Sequence, residues 1–166
     1  MTRLSLSILL LVLAFPAHAS RAGAMFGQGK TQYSVIGGNG YAFGNRYFVL
    51  GAGVSYYVLD GLGVGLSLEN WSGSGPGITK YSPFVQYVFN QASAVKPYVG
   101  AFYRHTSIGG LPSINSAGER AGIYIASAPN AYINLGFVRE VYLDCQQSIY
   151  RSCSETYPDL GFTFTF

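Results

Sequence analysis

His105, Ser107 and Glu119 are residues whose types and spacing could together carry out covalent chemistry. A serine hydroxyl becomes a nucleophile when a histidine accepts its proton, and a carboxylate can orient that histidine. Alternation along strands places His105 on the face of Tyr103 and Glu119 on the face of Ile123. If the two strands are neighbours, the three side chains meet on one apolar surface and could hydrolyse a lipid ester. The alternative is an interfacial histidine beside a solvated serine.

Cys145 and Cys153 are the two cysteines of the sequence. In an exported chain, an even number of cysteines at this short spacing is typical of a disulfide that closes a small loop. Loop closure of this size contributes about 2 to 3 kcal/mol, mostly local to the loop. A metal site is the alternative, but neither cysteine has a histidine or carboxylate nearby at ligand spacing. We therefore expect a disulfide, with no metal and no cofactor.

Eight stretches of the chain alternate apolar with small or polar residues and are predicted to be strands. Their predicted bounds are residues 30–37, 46–58, 62–71, 79–89, 96–105, 119–126, 131–143 and 155–166. Most reach the roughly 9 to 11 residues that a tilted strand needs to cross a bilayer. In the third stretch, Val64, Leu66 and Leu68 share one face, whereas Gly63 and Gly65 share the other. The sequence predicts an all-β fold, an eight-stranded antiparallel up-and-down transmembrane β-barrel.

The predicted connections alternate between short and long. Short turns are expected at residues 60–61, 90–95 and 127–130, where Gly, Asn and Pro favour tight turns. Four longer Gly- and Ser-rich connections are expected at residues 38–45, 72–78, 106–118 and 144–154. Outer-membrane barrels have short periplasmic turns and long external loops. We therefore expect four loops outside the cell, although the glycine-rich start of the first also fits a strand.

Both ends of the chain carry features of exported proteins. Arg3, an apolar run over residues 4–15 and Ala17-His18-Ala19 are typical of a secretory signal peptide, so residues 1–19 are assigned to it and residues 20–166 to one barrel domain. The final strand resembles the C-terminal signal by which the assembly machinery recognises outer-membrane barrels. In that resemblance, the signal is carried by Phe162, Phe164 and Phe166. The alternative for this segment is an ordinary half-buried strand.

Composition excludes several classes of protein. Charged residues make up 10% of the chain, against about 25% in typical globular domains, and aromatic residues make up 16%. A soluble ligand-binding barrel with a charged exterior is therefore disfavoured. The net charge of +3 is not clustered, so no nucleic-acid partner is expected.

The polar face of the predicted strands carries charges of both signs. These are Glu69, Lys80, Arg104, Arg120 and Glu140. Unpaired buried charges are very costly, so we expect these residues to pair with each other or with trapped water. Side chains can fill the interior of an eight-stranded barrel, which favours a structural salt-bridge network. The alternative is the lining of a narrow, gated channel.

The sequence as a whole resembles the family of small bacterial outer-membrane β-barrel proteins, to which the OmpX and OmpA barrels are related in architecture. The segments GAGVSYYVLDGL (51–62), YSPF (81–84) and KPYVG (96–100) and the terminal Phe166 carry the resemblance. It implies signal-peptide-dependent export to the outer membrane of a Gram-negative bacterium. The implied partners are outer-membrane lipid, lipopolysaccharide and the barrel-assembly machinery. The implied role is structural or surface interaction through the four external loops, while the oligomeric state stays open.

A shorter segment resembles the PagL-type lipid A 3-O-deacylases. His105-Thr106-Ser107, with Gly110, Leu111, Asn115 and Glu119 downstream, carries this resemblance. It implies a lipid A esterase with Ser107 as nucleophile, His105 as base and Glu119 as orienting carboxylate. Ile108 replaces an asparagine of the deacylases, and two further predicted strands follow the segment. The esterase is an alternative to the structural role, and a narrow channel for small solutes is a second alternative.

Overall fold

The computed structural model of this chain describes residues 25–90, 94–143, 145 and 152–165. The predicted signal peptide and the terminal Phe166 lie outside the described residues. Among the residues described, no helix has the length and apolar character required to span a membrane.

Eight antiparallel strands form a closed barrel in which each strand pairs with the next and β8 pairs with β1. The strands are β1 (Thr31–Ala42), β2 (Asn45–Leu59), β3 (Leu62–Gly73), β4 (Ile78–Val88), β5 (Val95–Ile108), β6 (Leu111–Ala128), β7 (Ala131–Tyr142) and β8 (Ser154–Thr165). The predicted fold class is therefore confirmed. One end of the barrel, here called the terminal end, holds the start of β1, the end of β8 and the β2–β3, β4–β5 and β6–β7 turns. The opposite end, with the other four connections, is the distal end.

The register of the strands fixes their tilt. Following the paired residues once around the barrel from Thr165 leads through each strand in turn and returns to β8 at Glu155, ten residues away. A stagger of this kind requires the strands to incline, and small membrane barrels incline by about 35 to 45°. Each strand therefore runs obliquely from the terminal to the distal end.

The outer surface of the barrel is apolar. In β3 the outward positions Val64, Leu66 and Leu68 are exposed, whereas the alternate positions face the interior. The same pattern continues around the wall. Large apolar side chains exposed on other strands include Val35, Phe48, Leu50, Val54, Val85, Val99, Leu135, Phe137, Leu160 and Phe162. This band has the character that a lipid-facing barrel surface requires.

Two of the four connections predicted to be long loops are instead two-residue turns. β1 extends to Ala42 and turns at residues 43–44, and β6 begins at Leu111, well before its predicted start. The Gly- and Ser-rich sequence there lacks apolar alternation, yet cross-strand backbone pairing still holds these residues in strands. The β3–β4 connection spans residues 74–77, and the β7–β8 connection, residues 143–153, is the longest at the distal end.

Apolar clusters lie at both ends of the interior. The terminal cluster comprises Phe26, Tyr57, Val88, Tyr98, Tyr124 and Tyr132, and the distal cluster comprises Tyr47, Ile78 and Ile108 with Ala42, Trp71 and Ile114 packed against it. Phe26 precedes β1 and is fully buried. Its carbonyl accepts hydrogen bonds from Gly61 N at 2.7 Å and Asn90 Nδ2 at 3.2 Å. The segment before β1 thus closes the terminal end, a feature that the sequence analysis did not predict.

Candidate functional site

Arg104 is the centre of the polar interior. Its Nη1 donates to Glu140 Oε2 at 2.7 Å and to the Tyr157 hydroxyl at 2.8 Å, and its Nη2 donates to Glu69 Oε1 at 3.3 Å. Its Nε donates to Ser82 Oγ at 2.9 Å. Glu69, Glu140 and Tyr157 lie on β3, β7 and β8, so one guanidinium on β5 connects opposite walls of the barrel. We refer to these residues as the Arg104 cluster.

The carboxylates of the Arg104 cluster have further donors. Glu140 accepts hydrogen bonds from Ser116 Oγ and from the Tyr157 hydroxyl, the latter at 2.7 Å, while Glu69 accepts one from Trp71 Nε1 at 3.3 Å. A buried ion pair is tolerated when hydrogen bonds satisfy its remaining lone pairs and protons, and this cluster meets that condition. Three of the five predicted interior charges are therefore joined directly.

Lys80 and Arg120 also face the interior but are not joined to the Arg104 cluster by ion pairs within the described part of the chain. Lys80 Nζ lies 4.0 Å from the centre of the Trp71 ring, and the Arg120 guanidinium lies 4.3 Å from that of Phe84. Arg120 Nη2 donates to Gln86 Oε1 at 3.2 Å, and its buried Nε has no hydrogen-bond partner. Among the described residues, these two cations lie over aromatic rings rather than in ion pairs, and the ring faces stabilise their charge.

Polar residues that the sequence analysis missed complete the interior. Gln86 Nε2 donates to the Tyr57 hydroxyl at 2.8 Å, and the Tyr57 hydroxyl donates to Gln32. The Tyr98 hydroxyl donates to Asp159 Oδ2 at 3.3 Å. Alternation along β8 could have placed Asp159 inside, whereas uncharged glutamines and tyrosines give no comparable signal in the sequence.

A cavity of about 520 Å³ lies beside the Arg104 cluster. The charged residues in its wall are Glu69, Lys80, Arg104, Arg120, Glu140, Glu155 and Asp159. The wall also includes Tyr41 and Leu160. Tyr41 and Leu160 face outward, with 71% and 54% of their surfaces exposed. The cavity therefore extends from the polar interior to the outer surface between β1 and β8.

The pairing of β1 with β8 explains this extension. The two strands pair over four positions, from Gln32 opposite Thr165 to Val35 opposite Phe162. Beyond these positions, residues 36–42 of β1 pair with β2 and residues 154–161 of β8 pair with β7, but the two segments do not pair with each other. We call this unpaired stretch of the wall the lateral opening.

The candidate esterase residues do not assemble into a triad. His105 Nδ1 lies 2.8 Å from Asn115 Oδ1, which is its cross-strand neighbour. Glu119 lies opposite Ala101, four residues away from His105 along β5. At about 3.3 Å per residue, the separation along the strand is roughly 13 Å. Glu119 therefore cannot orient His105, and the register corrects the interpretation based on alternation.

Glu119 has a different partner on the outer face. It lies opposite Arg139, with 4.0 Å between Glu119 Oε1 and Arg139 Nη1, and both side chains are mostly exposed. Ser107 is also exposed, on β5 near its distal end. The three candidate residues thus occupy one outer surface but different positions along it.

The remaining predicted sites lie at opposite ends of the barrel. Cys145 and Cys153 are joined by a disulfide with a Cα–Cα distance of 5.5 Å within the β7–β8 connection. Phe162 and Phe164 face outward near the terminal end of β8. Their role with Phe166 as an assembly signal stays a prediction.

Comparisons with known proteins identify the fold. No family model matches the sequence, and no significant match is found among curated proteins. The N-terminal β-barrel domain of Pseudomonas aeruginosa OprF superposes with a TM-score of 0.67 and 19% sequence identity, covering 84% of this chain and 99% of that domain. The chain therefore has the fold of a small eight-stranded outer-membrane barrel.

Two further solved structures match with lower scores. Neisserial surface protein A matches with a TM-score of 0.49 and 16% identity, covering 82% of this chain and 93% of that one. Ail, the attachment invasion locus protein of Yersinia pestis, matches with a TM-score of 0.48 and 20% identity, covering 84% and 99%.

Proposed function

We propose that this chain is an integral outer-membrane protein with a structural role and a barrel that does not conduct ions. The apolar outer band and the shared fold support the membrane location. Export by residues 1–19 and recognition of Phe162, Phe164 and Phe166 by the assembly machinery belong to the same proposal. The proposal also includes an orientation in the membrane: the terminal end faces the periplasm, and the distal end faces the outside of the cell.

The main observation that supports a non-conducting barrel is the closure of its terminal end by Phe26. The Phe26 ring lies 5.1 Å from the rings of Tyr124 and Tyr132 and 5.7 Å from that of Tyr57. An ion leaving the interior at this end would have to pass a packed apolar layer without hydration, which is very costly. The Arg104 cluster is a second obstruction. The geometry therefore favours the structural role over the narrow channel.

We propose that the distal end interacts with other surface molecules. Because two of its four connections are short turns, the area available for such contacts is smaller than four long loops would provide. Tyr41, Phe43, Leu111 and Leu143 are exposed there. Aromatic and aliphatic side chains at a membrane interface suit contact with lipid headgroups and lipopolysaccharide. The distal end would therefore contribute to packing of the outer leaflet.

Conductance across planar bilayers tests the proposal. Refolded protein, with insertion verified by flotation with vesicles, should show no discrete current steps. Phe26→Gly removes the ring at the centre of the terminal cluster and should increase ion leakage. Phe43→Gly makes the same change at the distal turn and should behave like the wild type. Regular current steps from the folded wild type would contradict the proposal and favour the channel.

A further inference from the structure

Glu119 and Arg139 interrupt the apolar outer wall of the barrel. Arg139 lies between Phe137 and Val141, two exposed apolar residues on the outward face of β7. Glu119 lies opposite Arg139 on β6, and the side chains of Glu119 and Arg139 are 72% and 64% exposed. If the membrane location proposed above holds, lipid would surround both charges. A charge on the lipid-facing wall costs more the deeper it lies, so this pair needs a favourable partner.

The two charges do not satisfy each other. The 4.0 Å between Glu119 Oε1 and Arg139 Nη1 is too long for a hydrogen bond. Within the described part of the chain, neither side chain makes a hydrogen bond to another residue. A guanidinium has five N–H donors, and a carboxylate has several acceptor positions. Lipid hydrocarbon offers no partner to either group, so their partners would have to come from outside the chain.

Small side chains surround Glu119. Ala117 and Ala121 are its neighbours on the outward face of β6, and Ala101 lies opposite it on β5. Phe137, a large and exposed residue, lies instead on β7, on the other side of the charged pair. Small residues allow two backbones within a membrane to approach closely. The wall is therefore recessed around Glu119 and raised at Phe137.

A two-fold axis along the membrane normal, placed between Glu119 and Arg139, would match this surface with itself. The circuit of paired residues gains ten residues over eight strands, so each step from β5 to β6 to β7 rises roughly 3 Å toward the distal end. Ala101 lies two such steps below Arg139, and Phe137 lies two residues below Arg139 on its own strand. Phe137 and Ala101 are therefore at nearly the same height, about 6 Å to either side of the axis. The rotation brings Arg139 against Glu119 of a second copy, and Phe137 into the space over that copy's Ala101.

We propose that the surface formed by Ala101, Glu119, Phe137 and Arg139 is a dimer interface between two copies of this chain in the membrane. Each Arg139 pairs with Glu119 of the other copy, so that four charges satisfy one another away from lipid. Lipid is a less favourable occupant, because acyl chains carry no charge and an anionic headgroup attracted by Arg139 is repelled by Glu119. The inference rests on the proposed membrane location and adds an oligomeric state to it.

Complementary charge variants test the pairing between copies. Glu119→Arg makes both positions positive and Arg139→Glu makes both negative, so each variant alone repels its own copy. Copies labelled with donor or acceptor dye at Ser127→Cys, in the β6–β7 turn, are diluted in vesicles for energy-transfer measurements. Each variant alone should associate at least about tenfold more weakly than the wild type, whereas a mixture of the two should regain strong transfer.

The mixture decides between pairing within one chain and pairing between copies. The pair within one chain is broken in both variants, so only contacts between copies can restore energy transfer. A mixture that stays as low as the separate variants would overturn the proposal.

Disulfide cross-linking between copies tests the geometry. Phe137→Cys in one copy and Ala101→Cys in the other place the thiols face to face across the proposed axis. Phe137→Cys mixed with Leu50→Cys is the control, because Leu50 is exposed on β2, on the opposite wall of the barrel. Under a membrane-permeant oxidant, the first mixture should form cross-linked dimers at least about fivefold faster than the second. Equal rates would indicate random encounter and overturn the proposal.

Flotation with vesicles separates failure of this inference from failure of the proposed function. Wild-type protein that floats with the vesicles and shows only the energy transfer of randomly mixed monomers would overturn the dimer and leave the structural role in place. Folded protein that does not float would overturn the membrane location and the dimer together.

Discussion

The Arg104 cluster shows how single residues organise the interior of this barrel. A lysine at this position would offer one ammonium group, whereas the planar guanidinium of Arg104 reaches carboxylates on two strands, the Tyr157 hydroxyl and Ser82. Glu69 and Glu140 depend on this one cation, since Lys80 lies over Trp71 instead. The five charges could be placed inside by alternation, but the choice of partners could not, because it depends on side-chain reach across the barrel.

Removal of Arg104 should be strongly destabilising. Arg104→Ala leaves Glu69 and Glu140 buried without their cation, which typically costs about 3 to 5 kcal/mol. Urea unfolding of the barrel in lipid vesicles measures the loss. Arg46→Ala, at an exposed position of β2, should change the free energy of unfolding by less than about 1 kcal/mol. Similar free energies for the two variants would contradict the central role of the Arg104 cluster.

At the scale of elements, strands β1 and β2 pair along the whole of β1, but the turn between them contains a residue that is unfavourable there. Phe43 and Gly44 have φ angles of +50° and +74°, the left-handed values that a two-residue type I′ turn requires. Glycine accepts this conformation readily, whereas phenylalanine does so at a cost. Because Phe43 is exposed at the tip, packing within the barrel does not explain its presence. A contact outside the barrel, as proposed for the distal end, would explain it.

Replacement of Phe43 by the residue that this turn prefers should stabilise the protein. Phe43→Asn should raise the free energy of unfolding by about 1 kcal/mol, because asparagine tolerates left-handed backbone angles. The measurement is urea unfolding in vesicles, with Phe48→Asn on the outer wall of β2 as the control, which should be destabilising. A loss of stability in Phe43→Asn would show that the Phe43 side chain contributes to the folded barrel itself.

The glycine-rich segments explain why alternation predicts the bounds of some strands better than those of others. The third strand was predicted well because its leucines and valine alternate with glycines, a pattern with period two. Residues 111–118 lack such alternation, which favours a loop, whereas the glycine-rich residues 38–42 fit either a loop or a strand. Their strand conformation comes from hydrogen bonds to neighbouring strands, which a sequence window does not contain.

At the scale of the whole molecule, the barrel separates an apolar outer face from a polar interior with two apolar ends. Trp71 is the single tryptophan of the chain and packs against the distal cluster inside the barrel. Leu66, on the same strand, faces outward and is exposed. The side chains at positions 71 and 66 therefore lie on opposite sides of the barrel wall.

Fluorescence quenching by brominated lipid chains should distinguish the two faces. In vesicles, wild-type Trp71 should be quenched weakly because the wall separates it from the acyl chains. Leu66→Trp in a Trp71→Phe background should be quenched at least about threefold more strongly. Stronger quenching of Trp71 than of the tryptophan at position 66 would mean that the faces are inverted and would contradict a membrane-spanning barrel.

The sequence by itself determined the number of strands, the outward apolar face and the inward position of the main charges, because these follow from side-chain alternation within each strand. The tertiary structure alone decided which residues meet: the register separates Glu119 from His105, Phe26 closes the terminal end, and β1 parts from β8 beyond Val35. These features arise from stagger between strands and from packing across the interior, and neither leaves a pattern that local sequence can show.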